Sequence, residues 1–446
     1  MEPNTLLDAL MAEAGMSRAG LAARVNQAAQ TRGKVTRYDH ASVIRWLHGQ
    51  RPRGTVPDLI CAVLAERLHR PLTADDIGMG NTIPVEAPVS TELDGFIERS
   101  TALWRGDQQQ RLDVQNATAI TGLRAVAPVW EWENPPEDLD VTRNGNQRVG
   151  SSDVDVLRTA RTHYEQMYRK AGGVTTRARV IGFLNRETAP LLRGAYTDTT
   201  GRALYRAAGG LVAIAGICSY DSNTQGLAQR YFHQALRMAK ASGDRAFGGY
   251  VIALLVNQCI YLREYRQAVA FAEAGLRTAG PHISPALATD LYAMQAKAFA
   301  RMGDDTSAHR CMRLAEKAAE AIRRDSEPAE TGYVQPGLVE AQFAEALMSL
   351  GDTTPAQEYA LEAVRMQAHA RGRVHRLATL TIAQLRGGDA DLASSTAVLM
   401  VDEACGIDSH RLRDRLVSIR QCMADQGGAA ARDTAELIEE TLRVPL

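Results

Sequence analysis

The chain has 446 residues, 51 Lys and Arg against 52 Asp and Glu, and 45% hydrophobic residues, which is ordinary for a soluble globular protein of two or three domains. No apolar run reaches the roughly 18 residues that a membrane span needs, and the polar N-terminus lacks the apolar core of a secretory signal. Membrane and secreted classes are therefore disfavoured, and we expect a cytoplasmic protein.

Composition also indicates the fold class. Aromatic residues make up 5% of the chain, and Ala, Leu and Arg are abundant, which favours helices because these side chains lose little conformational freedom there. We predict an all-α protein. The six cysteines are far apart and without paired spacing, so we expect free thiols and neither a metal site nor a disulfide framework.

The first 70 residues predict four helices, which begin at or just after Asn4, Ser17, Asp39 and Val56. A polar loop from about Asn26 to Tyr38 precedes the third helix. Gly49 ends the third helix in the left-handed conformation. Within that helix Val43 and Trp46 lie three residues apart, so both are expected to face the core.

Charge is concentrated in the same region, although the whole chain is nearly neutral. Between Gly15 and Val56 one acid, Asp39, stands against eight cations, namely Arg18, Arg24, Arg32, Lys34, Arg37, Arg45, Arg51 and Arg53. A basic stretch confined to one small domain is typical of a surface that binds phosphate backbones, and a solvated charged face is the alternative.

Three segments, "SRAGLAARV", "ASVIRWLHGQRP" and "AVLAERLHRPLTADDIGM", carry a family resemblance. Together they resemble the lambda-repressor-like helix-turn-helix domain of Xre-type regulators, in the form common among actinobacterial regulators. The resemblance covers about residues 3–80. The loop between the second and third helices departs from the family, since it is about ten residues longer than the compact form.

The resemblance implies that the third helix reads the major groove of double-stranded DNA. With Val43 and Trp46 turned inward, its outer face carries His40, Ala41, Ile44 and Arg45, and Arg45 suits a bidentate contact to guanine. Phosphate contacts are expected from Ser17 and Arg18 at the start of the second helix and from Arg51 and Arg53 after the third. Each single arginine has a solvated surface position as its alternative.

Residues 81–152 are expected to form a linker and connector. "NTIPVEAPVSTE" contains prolines and polar residues, and one amphipathic helix is predicted at about Leu93 to Trp104. Residues 121–152 show no helical period and are predicted to be irregular. If that segment is extended, Trp130 and Trp132 point to the same side and dock on a helical neighbour.

From residue 153 to residue 446 the chain is a succession of helix-length segments with internal similarity. Five segments begin with a small residue and have apolar residues four and seven positions later, and they start at Ala228, Ala268, Ala308, Ala356 and Ala393. Three of them closely follow a Gly-Asp pair. Spacings of 37 to 48 residues are typical of stacked helix pairs, and a non-repetitive Ala-rich helical domain is the alternative.

These segments resemble tetratricopeptide repeats, which implies a C-terminal α-solenoid after the helix-turn-helix domain. "LLRGAY", "GLVAIAG" and "AQRYFHQALRMAKASGD" also resemble actinobacterial regulators of development or secondary metabolism with the same domain order. Repeat-bearing peptide-pheromone receptors are more distantly similar.

The usual geometry of the repeat places the first helix of each pair on a concave face. A group of side chains there is expected to bind a short peptide or a small anionic effector: Tyr220, Tyr250, Asn257, Tyr261, Lys297 and Arg301. The alternative is that Lys297 and Arg301 pair with Asp290 or with glutamates of neighbouring helices.

The resemblance and the basic stretch predict a sequence-specific transcriptional regulator whose repeat domain binds a peptide, a small anionic ligand or a protein partner. No P-loop, no dinucleotide-binding glycine motif, no HExxH and no nucleophile elbow occurs, so we expect neither an enzyme nor a cofactor. A homodimer is expected, since one small DNA-binding head buries too little surface for high specificity. A tetratricopeptide interaction scaffold with a vestigial helix-turn-helix is the alternative.

Overall fold

The computed structural model describes residues 3–31, 33–52, 55–68, 70, 72, 74, 76–79, 92–134, 138, 140–280 and 283–443. The regular secondary structure of this part of the chain is helical, and its β-structure is limited to two isolated bridges, Arg143 with Tyr196 and Arg148 with Ala195. The all-α prediction is confirmed.

The described residues form these α-helices, in chain order: α1 (Thr5–Glu13), α2 (Arg18–Thr31), α3 (His40–Leu47), α4 (Val56–Leu68), α5 (Leu93–Gln108), α6 (Leu112–Gln115), α7 (Leu123–Glu133), α8 (Ser151–Ala171), α9 (Gly173–Phe183), α10 (Ala189–Leu192), α11 (Asp198–Asp221), α12 (Gln225–Ser242), α13 (Arg245–Tyr261), α14 (Tyr265–Ala279), α15 (Pro285–Arg301), α16 (Asp305–Glu320), α17 (Leu338–Leu350), α18 (Thr353–Arg365), α19 (Ala370–Arg386), α20 (Ala390–Ala404), α21 (His410–Gln426) and α22 (Ala429–Arg443). A π-helical turn lies at Leu184–Thr188, and short 3-10 turns lie at Arg324–Ser326 and Ala329–Thr331.

The chain forms two compact units. The first unit consists of Met1–Gly106, Asn144–Arg148 and Ala189–Ala195. The second unit consists of Asp107–Arg143, Val149–Thr188 and Tyr196–Leu446.

In the first unit, α1 to α4 surround a small apolar core. Leu7, Leu21, Val43 and Ile60 are fully buried in it, and Trp46 is almost so. These residues come from all four helices and lie on the faces that the apolar spacing predicts. Burial of this stripe on each helix stabilises the unit, because apolar surface is removed from water.

The predicted caps of these helices are observed. The Asn4 side chain accepts a hydrogen bond from the Leu7 backbone N–H, and Ser17 Oγ accepts one from the Gly20 N–H. Gly49 has a φ of 91°, which is the left-handed conformation expected after α3. The predicted loop from Asn26 is shorter than expected, since α2 continues to Thr31 and carries the start of that segment.

In the second unit, the segment predicted to be irregular contains a helix. α7 spans Leu123–Glu133 with Pro128 inside it. In a helix, residues two positions apart point to nearly opposite sides, so Trp130 is 61% exposed whereas Trp132 is buried. Trp132 Nε1 donates to Thr278 Oγ1 at 2.9 Å. The expectation that both tryptophans dock together was therefore wrong, and Trp132 alone does so.

From α11 onward the helices pack in successive pairs: α11 with α12, α13 with α14, α15 with α16, α17 with α18, α19 with α20, and α21 with α22. The first helix of each pair also contacts the first helix of the next pair, so these helices form one continuous layer. The five alanines that mark the similar segments all lie in second helices, and each is fully buried: Ala228, Ala268, Ala308, Ala356 and Ala393. A small side chain at this position lets the paired helices approach closely.

The Gly-Asp pairs mark the turns between paired helices. Gly303, Gly351 and Gly388 all have positive φ, which a residue with a Cβ rarely adopts. The following Asp304 and Asp389 accept hydrogen bonds from the backbone of the next helix and cap it. The glycine of the recurring dipeptide thus ends the first helix of a pair, and the aspartate caps the start of the second.

α11 is long and apolar enough to cross a membrane, and 83% of its most apolar window is buried within the protein. It contacts α8, α9 and α12. Its apolar character is explained by its place in the core of the second unit, where it is covered on several sides.

Replacement of Ala268 by Leu should lower the free energy of unfolding by about 1–3 kcal/mol, because added methylenes have no space in a well-packed helix contact. Ala270→Leu is the matched control, since Ala270 is exposed on the same helix. Urea denaturation of both variants measures the difference. Equal stability of the two variants would contradict the close packing at Ala268.

Candidate functional site

The N-terminus of α3 is fixed by a local hydrogen-bond network in the first unit. Asp39 Oδ1 accepts from the Ser42 backbone N–H and from Ser42 Oγ, both at 2.8 Å. Arg45 Nη2 in turn donates to Ser42 Oγ at 3.1 Å. The hydrogen bonds from Ser42 hold the pKa of the exposed Asp39 carboxyl below its usual value, with smaller contributions from His40 and Arg45. The Arg45 guanidinium is therefore linked through Ser42 to the cap of α3.

The outer face of α3 carries the residues predicted to read DNA. His40 and Arg45 are exposed, and Ala41 and Ile44 are half-buried beside them. Ser17, Arg18 and Arg51 are exposed as well, and Arg53 lies outside the described residues.

The basic stretch remains at the surface of the first unit. Its described cations are all exposed: Arg18, Arg24, Lys34, Arg37, Arg45 and Arg51. Lys34 Nζ donates to Thr55 Oγ1 at 2.9 Å. The only acid in the stretch, Asp39, is engaged in the cap of α3.

Asn26 holds the segment between α2 and α3. Its Nδ2 donates to the Tyr38 carbonyl at 2.8 Å, and its Oδ1 accepts from the Tyr38 backbone N–H and from Thr36 Oγ1. The Tyr38 ring packs edge-on against Trp46 with centroids 5.1 Å apart. This one amide therefore positions the loop that leads into α3.

The second unit contains a cavity of about 270 Å³. Four of the six predicted ligand-binding residues line it, namely Tyr220, Tyr250, Asn257 and Lys297. They come from α11, α13 and α15, the first helices of successive pairs. The cavity is also lined by residues of α8, α17, α19 and α21, so it lies inside the helix layer.

The other two predicted residues do not line the cavity. Tyr261 packs edge-on behind Tyr220 with ring centroids 5.4 Å apart, and its hydroxyl donates to Asp414 at 2.7 Å. Arg301 is exposed at the end of α15, and it does not line the cavity.

Asp221 is a fully buried carboxylate that joins one wall of the cavity to its neighbours. It accepts hydrogen bonds from the Gly173 backbone N–H and from Ser409 Oγ, each at 2.8 Å, and it pairs with Arg371 Nη2 at 2.5 Å. A Cβ at Gly173 would lie 2.5 Å from the Asp221 side chain, so glycine is required for this approach. α9, α11, α19 and the start of α21 meet at this group.

Glu345 on α17 forms a second charged junction. Lys297 Nζ lies 2.7 Å from Glu345 Oε2, and Arg415 donates to Oε1 of the same carboxylate. Burial opposes ionisation of this carboxyl, but Arg415 and Lys297 outweigh burial and hold its pKa well below the usual value. Lys297 is thus paired with a neighbouring glutamate, as the alternative interpretation proposed, while it still lines the cavity.

At the wall of the cavity formed by α11, α19 and α21, several polar atoms have no hydrogen-bond partner within the described part of the chain. They are Tyr220 Oη, Arg371 Nε, His375 Nε2 and Arg411 Nε. Tyr220 and Arg371 are more than nine-tenths buried. The Arg411 guanidinium lies 4.4 Å from the Tyr220 ring centroid and has no carboxylate partner among the described residues. Buried polar groups are rarely left unsatisfied, so these atoms are available for hydrogen bonds to a molecule in the cavity.

His375 is electrically neutral at this wall. Burial is the main cause that lowers its pKa well below the ordinary value, and Arg371, Arg411 and Arg415 lower it further against a smaller opposing effect of Glu345. Three guanidinium groups around a neutral imidazole produce a positive potential that disfavours any further cation.

The Asp290 side of the cavity has a different character. Tyr333 Oη and Gln342 Nε2 donate to the two Asp290 oxygens at 2.6 and 2.7 Å. Burial raises the Asp290 pKa despite these hydrogen bonds. Gln342 Oε1 has no partner in the described residues. Apolar side chains lie alongside, among them Ile214 and Met294.

One group of potential metal ligands is present at the surface. Donor atoms of Asp305, His309 and Asp352 lie within 4.8 Å of one another. His309 Nδ1 already lies 2.9 Å from Asp305 Oδ1, and both carboxylates are exposed. The arrangement resembles an ordinary helix-surface pair and supports no metal site.

Sequence reasoning did not identify Arg371, Arg411 and Arg415 as cavity residues. Their spacing held a signal, because Arg371 and His375 on α19 and Arg411 and Arg415 on α21 each lie four residues apart on one helix face. That both faces meet at one cavity follows from the packing of α19 against α21.

Residues 7–80 match the family described as SP15 N-terminal domain. The match begins in α1 and extends beyond α4. No curated protein matches the chain.

Replacement of Asn26 by Ala should reduce the amide-exchange protection of the α2–α3 region by about 1–3 kcal/mol, since it leaves the Tyr38 backbone groups without partners. Gln27→Ala is the control, because Gln27 is exposed on the same helix. Hydrogen exchange of the full chain measures both variants. Wild-type protection in Asn26→Ala would contradict the positioning role.

Stability of the second unit should fall as the pH is lowered from about 7.5 to about 5. The folded pKa of His375 lies below its unfolded value, so the unfolded chain binds more protons in this range and protonation favours unfolding. Burial likewise lowers the pKa of His233 to about 4. In His375→Gln the fall should be smaller, as measured by urea denaturation at both pH values. The exposed His410→Gln variant should retain the wild-type dependence.

Proposed function

We propose that the protein is a sequence-specific, DNA-binding transcriptional regulator whose second unit binds an effector. In this proposal α1 to α4 are a helix-turn-helix domain, α3 enters the major groove, and the paired helices from α11 onward are a tetratricopeptide-like solenoid. The protein is cytoplasmic, is not an enzyme and acts as a homodimer on a double-stranded operator.

The observation that carries the proposal is the exposed outer face of α3. Arg45 projects there, is held by Ser42, and belongs to a stretch whose described cations are all exposed. Arg45 has the donor geometry for guanine O6 and N7, and Arg18 and Arg51 supply charge for phosphates. Val43 and Trp46 are buried on the opposite face, so α3 presents its polar side outward.

The cavity supports an effector role for the second unit. Its unsatisfied polar atoms and excess of cations are features of a binding site. The cavity encloses a small volume, which favours a small effector over the extended partner segment that an interaction scaffold would hold. A regulator of this kind responds when the effector prefers one dimer arrangement over another, typically by about 1–3 kcal/mol.

The test is operator selection followed by titration. Genomic fragments captured by the full chain should share a palindromic motif, and Arg45→Ala should lose about 1–3 kcal/mol of binding free energy at that motif. Binding of the full chain should weaken steeply with salt, because phosphate contacts release counterions.

Arg313→Ala is the matched control, since Arg313 is an exposed arginine on α16 of the second unit. It removes the same charge and should leave operator affinity at the wild-type value. Equal loss in both variants would indicate a non-specific charge effect, and absence of any enriched motif at low and moderate salt would refute the regulator proposal.

A further inference from the structure

We infer that the cavity of the second unit binds a small organic oxyanion, a molecule with one carboxylate or phosphate group on a compact apolar body, with the anionic group against Arg411, Arg371 and Tyr220. This inference specifies the effector class of the proposed function, and it concerns a site that can be tested without DNA.

The size of the cavity restricts the occupant. A volume of about 270 Å³ lies near the lower end of small-molecule sites. A folded partner or a long peptide does not fit such a volume. A metabolite-sized molecule does.

The charges of the lining residues determine the sign of the charge that a ligand carries. Six lining residues are Lys or Arg and two are Asp or Glu. Asp221 and Glu345, directly behind the lining, neutralise part of this excess through Arg371, Lys297 and Arg415. Arg411 forms no ion pair among the described residues, and its guanidinium lies over the faces of two tyrosine rings. An anion is therefore the ligand that this wall lacks.

Hydrogen bonding identifies where the anion lies. Tyr220 Oη, Arg371 Nε and Arg411 Nε are donors without partners in the described structure, and they belong to α11, α19 and α21. All three residues line the cavity, and donors from three helices suit the several acceptor lone pairs of a carboxylate or phosphate. His375, neutral beside them, can donate from Nε2 in one tautomer.

The opposite side of the cavity indicates the chemistry of the rest of the ligand, away from its anionic group. Ile214 and Met294 offer apolar contact, and Gln342 Oε1 is an acceptor without a partner in the described chain. Asp290 next to it already receives two hydrogen bonds. A hydroxyl or amino group on the ligand body would satisfy Gln342, and the aromatic rings of Tyr250 and Tyr333 lie close together at this side, with centroids 6.2 Å apart.

The experiment measures binding to the purified full chain by calorimetry in the absence of DNA. The probes are phenylacetate, 4-hydroxyphenylacetate, phenyl phosphate and the uncharged phenylacetamide, with blocked trialanine as the peptide probe. At least one anion should bind about ten-fold more tightly than phenylacetamide, since a charge-assisted hydrogen bond is lost in the amide. Comparison of phenylacetate with phenyl phosphate identifies the oxyanion.

Two variants localise the effect. Arg411→Gln should abolish the preference for the anion, whereas Arg313→Gln on the exposed face of α16 should keep it. Tyr220→Phe should keep or raise the thermal stability of the free protein, because the removed hydroxyl has no partner, and should still weaken anion binding by about three- to ten-fold. Tyr231→Phe is the contrast, since its hydroxyl donates to Asp107 at 2.7 Å and its removal should lower stability.

Equal binding of anion and amide, tighter binding of trialanine than of every anion, or an unchanged preference in a folded Arg411→Gln protein would each overturn the inference. Failure of operator binding with intact anion binding would refute the regulator proposal alone. Loss of anion binding with intact operator binding would refute this inference alone.

Discussion

The second unit depends on one buried carboxylate. Asp221 ends α11, and it receives a guanidinium from α19, a hydroxyl from the residue that caps α21, and the backbone N–H at the start of α9. An unpaired carboxylate could not remain buried there, so all three donors must be in place at once. Asp221 thereby joins early and late helices of the array beside the cavity, and the Tyr261–Asp414 and Glu345–Arg415 pairs join others.

The same constraint gives the cavity its chemistry. Arg371 pairs with Asp221 through Nη2, and its Nε has no hydrogen-bond partner among the described residues. Glu345 similarly holds Lys297 and Arg415 in fixed positions. Arg411 rests on aromatic rings alone. A framework of paired charges thus leaves a few preorganised donors unpaired, and preorganisation of this kind lowers the cost of ligand binding.

In the first unit, interactions between residues close in sequence hold polar side chains in place. The Asp39–Ser42 cap orients Arg45, and Asn26 fixes the loop that precedes α3. Both arrangements involve residues close in sequence, and both leave the outer face of α3 exposed. In each unit, polar side chains that are already satisfied position others that are available to a partner.

The sequence by itself determined the helical class, the caps of α1 to α3, and the buried alanines and Gly-Asp turns of the paired helices, because these features depend on residues within one or two helical turns. It also placed Tyr220, Tyr250, Asn257 and Lys297 on one face, and all four line the cavity. Helix α7 was missed, since Pro128 and the nearby prolines obscured its period, and contacts with α12 and α14 stabilise it. Only the tertiary structure decided that Arg371 and Arg411 converge with Tyr220, because residues about 150 to 190 positions apart meet through closure of the array, which no local pattern encodes.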